Sequence, residues 1–106
     1  MKSMRNSLII GLFLAALVSC QNVTEKFGAH YQNNKDIESL KKVVELIDIG
    51  TDTAIVRKIL GEPIDFGFDY RYLSNTIGEN GCPVGAVFGI DSNGKISSKN
   101  LIEICE

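Results

Sequence analysis

A chain of 106 residues with 11 Lys and Arg against 13 Asp and Glu carries a formal net charge of −2. That length holds one small domain near the lower limit for an unassisted core. Nothing in that balance suggests nucleic acid, whose binders need a basic patch.

The first stretch, residues 1–19, has the zones of a secretory signal. Lys2 and Arg5 make a positive start, and Leu8 to Val18 is an uninterrupted run of apolar residues and one Gly. As a helix the run reaches only about 16 Å, against a hydrocarbon core of roughly 30 Å. It is short for a span and the right length for a signal. Leu17-Val18-Ser19-Cys20 then resembles the bacterial lipobox, which implies thioether lipidation of Cys20, cleavage before it and acylation of the new amino terminus. The thiol is the nucleophile that such chemistry needs, and more than one acyl chain is required for stable anchoring. The competing reading is a chance Cys beside a plain leader or short anchor. Gln21 rather than Asp follows, which by the sorting pattern of such lipoproteins implies delivery to the outer membrane, facing the periplasm.

Residues 20–35 are polar with little periodicity, and the expectation is a lipidated flexible tether. His30 and Tyr31 fall inside it with no evident partner. The folded domain is expected over 36–106.

Ile37, Leu40, Val43, Val44 and Ile47 mark one face of a first helix, with Asn34 or Asp36 as N-cap. A second helix spans Thr53 to Leu60, with Ile55, Val56, Ile59 and Leu60 as its apolar stripe. Gly50 breaks the chain before it, Asp52 or Thr51 caps it, Gly61 ends it and Pro63 prevents its extension. The period then changes to two. Phe66, Phe68, Tyr70 and Tyr72 alternate with polar residues as a half-buried strand, and the aromatic row reads as the face packed on the helices rather than a ligand platform. Ser74 to Cys82 reads as a loop, Val84 to Ile90 as a second strand and Ile96 to Cys105 as a third. Between the last two, Ser92-Asn93-Gly94 makes a three-residue turn with Gly94 in the left-handed position. The expected fold is α+β, two N-terminal helices packed on a three-stranded antiparallel β-meander.

In an oxidising compartment the pair Cys82 and Cys105 invites a disulfide, with two buried thiols or a metal pair as alternatives. No C-x-x-C motif is present and His30 lies in the tether, which disfavours metal. The hairpin tests the bridge. Pairing Asp91 with Lys95 puts Cys82 opposite Ile104, one residue short of Cys105, and a one-residue offset reverses the face. A bond would therefore need a bulge or a frayed strand end.

Gly50, Asp52, Val56, Leu60, Gly61 and Pro63 match the spacing G-[MT]-[TS]-x-x-x-V-x-x-x-L-G-x-P. Together with Tyr70, Tyr72 and the run Phe88 to Ile96, they resemble the small outer-membrane-assembly lipoproteins, the SmpA/OmlA or BamE-like family. Thr51 and Asp52 stand where that pattern has Met-Thr. The resemblance implies a non-enzymatic, membrane-anchored lipoprotein that supports outer-membrane protein assembly or envelope integrity through protein contacts. The alternative is an envelope inhibitor or binding lipoprotein of the anti-lysozyme or protease-inhibitor type, and an uncatalogued hydrolase is a weaker third. The residues offer no catalytic set, cofactor site, metal site or small-molecule substrate site. The motif positions turn the chain and stop a helix. The candidate binding surface is the sheet face bearing Asp69 and Arg71, with the Ser74 to Gly81 loop.

Overall fold

The computed structural model describes residues 23–105, so the signal, Cys20 and the cleavage site lie outside the described residues. Within them, helix α1 (residues 23–34), α2 (Ile37–Leu46) and α3 (Thr53–Leu60) precede four strands: β1 (Ile64–Asp65), β2 (Asp69–Ile77), β3 (Pro83–Ile90) and β4 (Ile96–Glu103). The strands form one antiparallel sheet in sequence order. The α+β class is as expected; there is one helix and one strand more than the sequence pattern suggests.

The two expected helices form where their caps place them. The Asp36 carboxylate accepts from the Ser39 amide at the start of α2, and that of Asp52 accepts from the Ala54 amide at the start of α3. Each satisfies an amide that has no partner within its helix. Gly61 ends α3 at φ 87°, a conformation open to glycine at little cost. Helix α2 has no basic residue in its last turn, and β4 supplies one. The Lys99 ammonium donates to the carbonyls of Val44 and Ile47, both at 2.8 Å, where a cation complements the helix dipole.

The first correction concerns the tether. Residues 23–34 are helical, and Tyr31 is among the most buried side chains at 2% exposure. Its ring packs edge-on against Tyr72 with centroids 6.4 Å apart, its hydroxyl donates to the Leu73 carbonyl, and the Lys35 ammonium lies over the ring, 4.8 Å from its centroid. Gly28 allows α1 to touch α3, because a Cβ there would come 2.2 Å from the Ile59 carbonyl oxygen. Gln32 donates to that same carbonyl at 2.9 Å. Lys35, at φ 53°, ends α1, and its carbonyl accepts from the Asn75 amide of β2. The folded unit thus includes residues before position 36.

The core lies between the helices and one sheet face. Tyr70, Tyr72, Ala86 and Phe88 meet Leu40, Val43, Val56 and Leu60 there. Tyr70 and Tyr72 are buried as expected, but Phe66 and Phe68 are not. Gly67, at φ 86°, makes a tight turn between β1 and β2, in which the Phe66 amide donates to the Asp69 carbonyl. The alternation restarts at that turn. Phe66 is thrown onto the face opposite the core, and Phe68 stands at the tip. The expected loop from Ser74 is also shorter, since β2 continues to Ile77.

The hairpin from β3 to β4 contains the bulge that the cysteines require. Ile90 pairs with Ile96, whereas Gly89 pairs with Ser98, so Ser97 is an extra residue on β4. The shift carries through Val84↔Glu103 and brings Cys82 level with Cys105. They form a disulfide with Cα atoms 5.2 Å apart, within the usual range for such bridges.

Candidate functional site

The sheet face turned away from the helices carries Asp69 and Arg71, on alternate positions of β2. Their charges are engaged with each other. Arg71 Nε donates to Asp69 Oδ1 at 3.2 Å and Nη2 to Oδ2 at 3.4 Å, a two-point contact that fixes the guanidinium plane. That plane lies 4.3 Å from the centroid of the Phe66 ring, a cation–π contact. The Phe66 and Phe68 rings are 6.4 Å apart. What the surface offers outward is therefore an aromatic pair, Phe66 held by Arg71 and 43% exposed and Phe68 65% exposed, with Ile64 beside them on β1. Two exposed aromatics side by side on a turn offer large apolar contact area, the property of binding hot spots. The alternation from Phe66 to Tyr72 places both rings in the core, and the structure places neither there. The signal available was Phe-Gly-Phe, in which a Gly between two aromatics marks a turn.

A second constellation lies where the sequence suggests only a tether. His30 of α1 meets Asp36 and Ser39 of the α2 start. Its Nδ1 is 2.9 Å from Asp36 Oδ1 and 2.8 Å from Ser39 Oγ, beside an open groove of about 690 Å³ between the helices. These are the residue types of a nucleophilic relay, but the geometry is not that of one. A relay needs the carboxylate on one ring nitrogen and the hydroxyl on the other, whereas here both share Nδ1. Ser39 is also buried. The cluster fastens α1 to the N-cap of α2.

Burial raises the Asp36 pKa, but the stronger combined effect of hydrogen bonds from the Ser39 hydroxyl and amide and from His30 holds it below the ordinary value of 3.8. Asp52 is likewise lowered, first by the Ala54 amide and then by Lys95, whose ammonium is 3.1 Å away. A carboxylate with a depressed folded-state pKa contributes stability above its unfolded pKa and loses it as pH falls through the folded value. Melting temperature should therefore fall with acidification below about pH 4, and Asp36→Asn with Asp52→Asn should flatten that part of the profile. Thermal denaturation followed by circular dichroism between pH 7 and pH 2 measures it.

The remaining motif residues are architectural. The Gly50 amide donates to the Ile96 carbonyl, the Ile96 amide to Thr51, and the Thr53 amide to Gly94. The segment before α3 is thereby tied to the start of β4, with Asp52 bridged to Lys95. At the other end of α3 the Tyr72 hydroxyl donates to the Gly61 carbonyl at 2.9 Å. Val56 and Leu60 are core, and Ile55 of the expected stripe is exposed. Cys82, Cys105 and Glu103 bring ligand-type atoms within 4.8 Å of one another. The sulfurs are bonded to each other rather than available as thiolates, and the Glu103 carboxylate accepts from the Asn80 amide at 3.0 Å. Compared with protein-family models, curated proteins and solved structures, the chain matches none.

Proposed function

We propose that this chain is an envelope lipoprotein, anchored through acyl groups on Cys20, that works by binding protein rather than by catalysis. The observation that carries the binding role is the exposed Phe66–Phe68 pair, in which Arg71, held by Asp69, lies over Phe66, on a domain that follows a lipobox-like segment. Anchoring and export rest on the sequence of residues 1–20. No helix among the described residues is long and apolar enough to cross a membrane, and an acyl anchor does not require one. The placement is the outer membrane, facing the periplasm.

Within that reading, support for outer-membrane protein assembly or envelope integrity is the role we favour. It draws on the SmpA/OmlA-like spacing from Gly50 to Pro63 and on the order of helices before meander. The alternative, an inhibitor of a secreted enzyme, uses the same aromatic turn, because fold alone does not fix a partner. The test is cross-linked affinity capture from detergent-solubilised envelopes with the wild-type chain and a Phe66→Ala/Phe68→Ala variant. Barrel-assembly proteins recovered by the wild type and lost by the variant are expected. A secreted hydrolase in their place would favour inhibition, and identical recovery by both chains would remove the aromatic pair from the site.

A further inference from the structure

The helical layer has an apolar edge that the sheet does not cover. Val23 at the first described turn of α1, Leu46 at the end of α2, Ile49 in the following connection and Ile55 on α3 are each about half exposed. Leu46 and Ile55 line a groove of about 380 Å³ with Thr24 and Glu25 of α1, which places the start of α1 against them. Lys58, paired with Glu25 at 3.5 Å, stands at its side.

Only Gln21 and Asn22 separate Val23 from Cys20. Extended chain covers at most ~3.6 Å per residue, so Val23 lies no more than about 11 Å from the residue that carries the acyl groups. We infer that this edge rests on the bilayer, with Val23, Leu46, Ile49 and Ile55 entering the interfacial zone. The inference depends on the lipidation of Cys20 proposed above. A helix already folded at residue 23 leaves too little slack for the domain to stand clear of the headgroups. The surface next to the anchor is the one that meets them, and apolar side chains in this position reach ~5–10 Å into the headgroup and acyl boundary. The open sheet face, with Phe66, is not part of this edge and stays accessible to a partner.

The chain contains no Trp, so single Trp probes report unambiguously. Mature lipidated protein (residues 20–106) carrying Ile49→Trp or Ile55→Trp is reconstituted in phosphatidylethanolamine–phosphatidylglycerol vesicles, with and without brominated acyl chains. Ile77→Trp and Ile102→Trp, exposed positions on the sheet, are the comparison. Expected are flotation with the vesicles, blue-shifted emission at positions 49 and 55, and bromine quenching there several-fold above that at 77 and 102. Flotation with equal quenching at all four positions, or with none at 49 and 55, overturns the orientation and leaves the anchor standing. Failure to float overturns the anchor, and the orientation with it.

Discussion

Tyr31→Ala is expected to lower the unfolding free energy by about 3–5 kcal/mol, the usual cost of deleting a buried aromatic. Much of the stability of a domain this small would go with it, since total stabilities run to about 5–15 kcal/mol. The ring fills space against Tyr72, and Tyr72 in turn packs on Phe88 at the centre of the sheet. The residue also closes a polar link, because its hydroxyl donates to Leu73 of β2. Burial pushes that hydroxyl's pKa up to about 12, so it remains a donor throughout the physiological range. Tyr31→Phe keeps the ring and should cost only about 1 kcal/mol, the net worth of one hydrogen bond. Urea denaturation of the three proteins gives the ranking directly. A flexible tether at this position would leave all three midpoints the same.

Reducing the Cys82–Cys105 bond should cost about 3 kcal/mol. The bridge joins residues 23 apart in sequence, and the chain-entropy model assigns roughly that value to a loop of such length. It ties the start of β3 to the segment after β4, close to the C-terminal end of the sheet, where a frayed strand would expose Ile104. The measurement is the urea midpoint with and without reductant. A Cys82→Ala/Cys105→Ala variant should match the reduced wild type and show no response to reductant. An unchanged wild-type midpoint on verified reduction would mean that β3–β4 pairing and the packing of Ile104 hold that end alone.

The elements legible in the sequence are those whose local chemistry agrees with their packing. Helices α2 and α3 announce themselves through apolar spacing and through Asp36, Asp52 and Gly61, each of which the structure uses as a cap. Helix α1 was hidden by its composition. Its inward positions include Gly28 and Thr24, which carry no hydrophobic signal, although Val23, Phe27 and Tyr31 do recur every four residues. Its place in the fold is set by contacts with Ile59, Tyr72 and Leu73, far along the chain. The aromatic row was misread for a different reason. Alternation predicts facing only within one uninterrupted strand, and Gly67 ends one strand and begins another. The cysteines imply a bulge or a frayed strand end, but not which or where: the weak polar run Ser97 to Asn100 gives no face to either register, so the position of the bulge at Ser97 is not legible. Of the candidate site, Asp69 and Arg71 were placed on the outer face, but their role as a brace for Phe66 depends on a turn that composition alone does not reveal.

The proposed anchoring requires a domain that leaves the cytoplasm and is held to a bilayer within a few residues of its first helix. Intact-mass measurement of protein purified from cell envelopes tests this most directly. The predicted species begins at Cys20 and is heavier than residues 20–106 by a diacylglyceryl group and a further acyl chain, while Cys20→Ala accumulates as a chain that still carries its leader. A processed wild-type protein whose mass equals that of its unmodified residues would contradict the account.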